Sequence, residues 1–147
     1  MAHMRLILAS ALTVANSLAL AASDLDVGQL PAEQAQGSVR YRTGGIGEDE
    51  AVAMRRAQSA YPLSVEFVQQ AKPRDEFLAN VQVTIKDQAG NPILNATSEG
   101  PILLAELPAG IYTIIADAEG GTKSKRVQIA PHKKQHVAFV WPPRPGE

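Results

Sequence analysis

"NVQVTIKDQAGNPILNATSEGP", residues 80–101, decides the fold. Val81, Val83 and Ile85 alternate with Gln82, Thr84 and Lys86. A period of two with β-branched residues is a half-buried strand. "DQAGNP" then supplies an Asp, a Gly and a Pro, which are turn chemistry. Ile93 to Thr97 bring the chain back, and "SEGP" turns it again.

The same rhythm continues downstream. Ile102 to Leu107 form the next strand, and "PAG" at 108–110 is a tight turn. Tyr112, Ile114 and Ala116 alternate with Thr113, Ile115 and Asp117, and "EGG" follows. Val127 and Ile129 mark another strand, and "APHKKQ" leads to a last one with Val137, Phe139 and Trp141 on one face. We expect these last two strands to pair as a hairpin. Residues 142–147, "PPRPGE", form a Pro-rich tail that cannot join a sheet ladder. Short strands at this spacing predict an antiparallel, mainly β sandwich or barrel, and a sandwich of the seven-strand type is the expected fold.

Upstream, "VRYRT" also alternates, with Val39 and Tyr41 facing one way. Gly44, Gly45 and Gly47 follow as structural turn residues. The period then becomes helical over 48–61. Ala53, Met54, Ala57, Ala60 and Tyr61 form one apolar stripe. Glu48, Asp49 and Glu50 suit the positive end of the helix dipole. Gly47 is the expected N-cap, and Pro62 ends the helix. An Ala/Met stripe predicts a helix docked on an end or open face of the sheet. "LSVEFVQ" is a strand with Leu63, Val65 and Phe67 inward, and "QAKPRDEFLA" is a polar connection.

The N-terminus reads differently. Arg5 precedes an apolar run from Leu6 to Ala21, interrupted by Ser10, Thr13, Asn16 and Ser17. It ends in Ala19-Leu20-Ala21. That layout is a secretory signal peptide over 1–21. The run is short for a membrane span of about 20 residues. Membrane contact is therefore expected only during export, with a periplasmic or secreted product. Residues 22–38 lack a sustained period and read as a flexible leader, and 39–141 form the sandwich domain.

Composition narrows the chemistry. The chain of 147 residues has 14 Lys/Arg and 15 Asp/Glu. Removing residues 1–21 takes only Arg5, which leaves 13 bases against 15 acids, a charge of −2. This balance gives no global reason to expect nucleic acid. Without cysteine there is no lipobox, no disulfide, no thiol enzyme and no Cys-type zinc site.

The 80–130 region resembles the carboxypeptidase regulatory-like domains, which are transthyretin-like sandwiches. The resemblance rests on Val81/Val83/Ile85, Asp87 with Gly90, Thr97 with Gly100, and Leu107-Pro108-Ala109-Gly110-Ile111-Tyr112. It covers about a third of the chain and implies a non-catalytic module in which Gly110 permits the bend and Tyr112 anchors the corner. The whole chain is similar to small exported bacterial proteins that carry this add-on. One transthyretin-like branch hydrolyses a ureide of purine breakdown and ends in Tyr-Arg-Gly-Ser. This chain ends "VWPPRPGE" and lacks that motif.

The glycine turn matches neither nucleotide signature. Its three following carboxylates would repel a phosphate by about 1 kcal/mol or more each. No Asp-x-Asp-x-Asp-Gly loop makes it a Ca²⁺ site. His132 and His136 stand four apart, but extended chain separates them by about 13 Å, too far for one ion. Ser38, Ser59, Ser64, Ser98 and Ser124 lie outside any Gly-x-Ser-x-Gly elbow. No catalytic residue, cofactor or metal is expected. Lys123, Lys125, Arg126, Lys133 and Lys134 form the candidate partner-binding cluster, suited to an acidic protein face or an anionic cell-envelope polymer. The competing reading is edge protection by lysine. The expected function is an exported, non-catalytic binding or accessory module. The alternatives are a small periplasmic hydrolase and a strand-exchanging structural subunit.

Overall fold

The computed structural model describes residues 30–146. The signal-peptide expectation for residues 1–21 lies outside them. Ten strands and one α-helix form a β-sandwich, as the alternation predicts. They are β1 (Gln34–Gln36), β2 (Val39–Gly44), α1 (Glu48–Ala57), β3 (Leu63–Gln69), β4 (Glu76–Phe77), β5 (Val81–Lys86), β6 (Pro92–Ser98), β7 (Ile102–Glu106), β8 (Gly110–Ala118), β9 (Gly121–Ile129) and β10 (Gln135–Trp141). One sheet runs β1-β2-β7-β3-β10, with β4 attached to β3. The other runs β6-β5-β8-β9. No helix among the described residues is long and apolar enough to cross a membrane.

The strand period places the core. Val81, Val83, Ile85, Ile114 and Ala116 from one sheet face Val65, Phe67, Leu103, Phe139 and Trp141 from the other, all buried. Phe67, Phe139 and Trp141 form an aromatic group with centroids 6.1–6.5 Å apart. Turn chemistry fixes the register. Asp87 Oδ1 accepts from the Asn91 amide at 2.9 Å, and the Gly90 amide reaches the Asp87 carbonyl at 3.0 Å. Tyr112 Oη donates to the Pro108 carbonyl at 2.7 Å, so the tyrosine does anchor its corner. Gly110 does not bend the chain by left-handed backbone. It begins β8 beneath the Tyr112 ring, where a Cβ would come within 3.4 Å of the hydroxyl.

β7 is apolar on both of its faces. Leu103 and Ala105 face the sandwich core. Ile102 and Leu104 face outward and pack with Met54 of the helix and Tyr61 in a second core. The Ala/Met stripe therefore docks on an open sheet face, and its key side chain is Met54, which is fully buried. Ala60 is exposed rather than part of the stripe. The α-helix stops at Ala57. A single 3₁₀ turn, Gln58–Ala60, then leads to Tyr61, whose extended backbone precedes Pro62, the geometry that proline imposes on its predecessor.

Three expectations about strands and their pairing also change. First, β9 and β10 are not a hairpin. β9 pairs with β8 in one sheet, and β10 pairs parallel with β3 in the other, Gln135 opposite Leu63 through Trp141 opposite Gln69. The connection through Pro131 and His132 carries the chain between sheets, which lets Val137, Phe139 and Trp141 cover the β3 side of the core. Second, part of the 22–38 leader is strand. β1 pairs antiparallel with β2, Gln36 opposite Val39. Third, the polar connection after β3 contains β4, which pairs with Val68 and Gln69.

Candidate functional site

The glycine turn does bind an anion, and the anion belongs to the chain. Glu50 Oε1 accepts from the Gly45 amide at 2.9 Å. Gly45 and Gly47 have φ of 105° and 84°, a region open to glycine without cost. Gly47 caps the helix with its carbonyl, which accepts from the Ala51 amide at 3.0 Å. Gly44 is there for space. A Cβ on it would lie 2.5 Å from both Glu50 Oε1 and Pro31 Cγ. The turn is thus closed by its own carboxylate.

A polar hub ties the N-terminal strand down beside this turn. Tyr61 Oη donates to Glu33 Oε2 at 2.7 Å and accepts from Arg42 Nε at 2.8 Å. Arg42 also pairs with Glu33 at 3.7 Å and donates to the Pro31 carbonyl. Burial, then the hydrogen bond to Glu33, pushes the Tyr61 hydroxyl above its ordinary pKa of 10.0, with Arg42 opposing.

The outer face of β3 and β10 holds a cluster that no sequence motif marks. His136 Nδ1 lies 3.2 Å from Ser64 Oγ, and its Nε2 lies 3.4 Å from Glu66 Oε2. Arg55 of the helix reaches Glu66 Oε1 at 3.9 Å and lies over the Phe77 ring at 5.4 Å. A hydroxyl, an imidazole and a carboxylate in line resemble a proton relay. Ser64 is only 3% exposed, so its hydroxyl is closed to an incoming carbonyl. The cluster acts as a clamp joining helix, β3 and β10. Ser64 and Glu66 were legible as outward residues of one strand. The parallel neighbour that brings His136 to them was not. His132 sits apart, in the turn before β10 with φ of 61°. Among the described residues, no group of three His, Asp or Glu is placed to hold a metal ion.

The five basic residues do not gather in one patch. Lys123 and Lys125 of β9 stand opposite Ala116 and Ile114, both core residues, so they point into the gap between the sheets. Arg126 stands opposite Thr113, on the outer face. Lys133 and Lys134 are exposed in the turn before β10, about 20 Å along the strand from Lys123. Lys125 crosses the gap. Its Nζ donates to the Ala138 carbonyl at 2.5 Å and lies 5.5 Å from the Phe139 ring centre. Inward-pointing lysine is a known way to blunt a sheet edge.

The two open sides of the sandwich are therefore built differently. On the β1/β6 side, Gln36 Nε2 donates to the Asn95 carbonyl at 3.0 Å, and its Oε1 accepts from the Asn95 amide at 2.6 Å. On the β9/β10 side, Trp141 Nε1 donates to the Gly121 carbonyl at 2.9 Å and Lys125 Nζ to the Ala138 carbonyl, so a basic side chain is one of the two that cross. Residues 121–141 carry all five bases of the cluster and no Asp or Glu. At one end, a cleft of about 300 Å³ is lined by Gln69, Leu78, Asn80, Glu119 and Arg144.

No family model matches the chain, and no curated protein matches it. Among solved structures, it is similar to a Klebsiella pneumoniae 5-hydroxyisourate hydrolase, at 16% identity and a TM-score of 0.44, over 57% of this chain and 91% of that one. It is also similar to the Bacillus anthracis TIE protein, at 16% identity and 0.41, over 53% of this chain and 16% of that one. A third is BcpA, the major pilin subunit of Bacillus cereus, at 14% identity and 0.40, over 54% of this chain and 30% of that one. The chain spans less than a third of the length of the last two proteins. These similarities carry no argument about family or activity.

Proposed function

We propose that this protein is an exported, non-catalytic binding or accessory module of the cell envelope, and that it engages its partner along the β9/β10 side of the sandwich. The carrying observation is the charge of the β9/β10 side. Residues 121–141 contain five basic residues and no acid, with Lys123 and Lys125 facing the gap between the sheets and Lys133 and Lys134 in the turn before β10. A basic strip of this kind favours an acidic partner and speeds encounter. Export follows from the signal-like pattern of residues 1–21. The Leu107–Tyr112 corner supports a place among carboxypeptidase regulatory-like modules.

Affinity capture from an envelope extract tests the reading. The chain should retain a partner at low salt, and a variant carrying K123E, K125E, K133E and K134E should lose it. Unchanged capture by the variant would remove this side as the binding surface. A second reading comes from one observation. Ile46, Val52, Phe77 and Val140 are the exposed large apolar side chains among the described residues; Ile46 lies in the turn before the helix, Val52 on the helix, and Phe77 and Val140 on the sheet that carries it. If capture survives the charge reversal but fails in V52S/F77S, the partner sits on the helix side.

A further inference from the structure

We infer that the β9/β10 side is a strand-accepting site for an extended acidic peptide, in which carboxylates at alternate positions meet Lys123 and Lys125 while its backbone pairs with β10. This rests on the binding reading above and adds the chemistry and mode of the partner.

The backbone geometry comes first. The Gln135 amide donates to the Pro62 carbonyl at 2.8 Å, and the Gln70 amide donates to the Trp141 carbonyl at 2.9 Å. The odd-numbered residues of β10 thus turn their peptide groups toward β3. Peptide groups of alternate residues in a strand point to opposite sides. His136, Ala138 and Val140 therefore present theirs to the open side. The contact from Lys125 Nζ to the Ala138 carbonyl agrees with that direction. β10 ends its sheet, so apart from the Ala138 carbonyl, which Lys125 occupies, these groups form a ladder without a strand partner, of the kind that an added strand completes.

Side-chain chemistry then selects the guest. One face of a guest strand would look into the gap, where Lys123 and Lys125 stand opposite core residues of β8. Carboxylates on that face would replace the bond from Lys125 to the Ala138 carbonyl with ion pairs to both lysines. The other face would lie beside Ala138 and the exposed Val140, which suits aliphatic side chains. A second copy of this chain does not fit, because its own β9/β10 strip is equally basic. Like charges would then face each other across the joint.

The test uses hydrogen exchange by NMR on the whole chain, with a capped nine-residue peptide of alternating Glu and Val as probe. The amides of His136, Ala138 and Val140 should exchange at least about ten-fold more slowly with peptide, a shift that corresponds to about 1.4 kcal/mol. The K123E/K125E variant should bind at least about ten-fold more weakly. The same peptide N-methylated at alternate residues should fail to protect the amides. That arm needs no protein variant, so it stands even if the double lysine variant misfolds. Equal binding by the N-methylated peptide would overturn strand pairing, and equal binding by a Lys/Val peptide would overturn charge selection. Equal protection by alginate, an anionic polysaccharide, would overturn the peptide class. If these arms fail while capture from envelope extract still depends on the basic side chains, the inference falls and the binding reading survives.

Discussion

Gln36 and Asn95 are joined by two hydrogen bonds, from side-chain amide to backbone carbonyl at 3.0 Å and from backbone amide to side-chain oxygen at 2.6 Å. The residues lie 59 positions apart, one on the end strand of each sheet. A primary amide has the same donor and acceptor spacing as a peptide group, so a single side chain stands in for a residue of neighbouring strand. Gln36→Leu should remove both bonds. Stability should fall by about 1–2 kcal/mol, read from the urea midpoint, and exchange at the Asn95 amide should accelerate selectively. An unchanged Asn95 exchange rate would show that the lacing does not hold in solution.

Gly100 presses against β2. A Cβ built on it would lie 2.3 Å from the Gly44 carbonyl oxygen. Because the obstacle is backbone, no rotamer change relieves it. Gly100→Ala should cost about 3 kcal/mol or more. Gly90 has open space but a φ of 87°, so Gly90→Ala should cost about 1–2 kcal/mol. Urea unfolding of the pair checks the order, and the reverse order would refute the close approach.

Met54 belongs to the smaller of the two cores, with Tyr61, Ile102 and Leu104. Met54→Ala should cost about 2–5 kcal/mol. Helix amides should lose protection while those of β5 and β8 keep theirs, since the main core shares none of these residues. Uniform loss of protection would mean that the helix and sandwich open as one unit.

Tyr61 and Tyr112 both have hydroxyl pKa values above 10.0, raised first by burial and then by Glu33 and Asp87 respectively. A raised folded value means that the fold favours the neutral phenol. The stabilisation is full below about pH 10 and is lost as pH climbs through the higher folded values. Unfolding free energy should therefore decline on the alkaline side of pH 10. Tyr61→Phe should make that decline shallower and lower stability at pH 7 by about 1–2 kcal/mol, because Arg42 and Glu33 lose their shared partner. A steeper alkaline decline in the variant would contradict this.

Most of the sandwich was legible because its strands obey one rule, apolar inward every second residue. The rule failed where the inward residues are not apolar. β9 is nine residues long, but Lys123 and Lys125 fill inner positions and disguise its first half as polar loop. β1 failed for a related reason. Gln34, Ala35 and Gln36 bury little and are held by β2 and by Asn95. The partner of β10 was invisible too, since alternation fixes which face a strand buries but says nothing about its neighbour. The Ser64–His136–Glu66 clamp went unseen with it. In contrast, motif spacing and, more firmly, charge sign spoke against a phosphate in the glycine turn, where Glu50 occupies the Gly45 amide.

The parallel pairing of β3 with β10 also governs the order of assembly. His136 meets Ser64 across 72 positions of chain. Any nascent or threading chain that has released only its first 130 residues holds a β3 with one edge bare and a Phe67 lacking both aromatic partners. Long sequence separation slows closure. The sandwich therefore stays open to other strands until β10 emerges, and its vulnerability to misassembly is set by the timing of residues 135–141 rather than by the strength of its finished core.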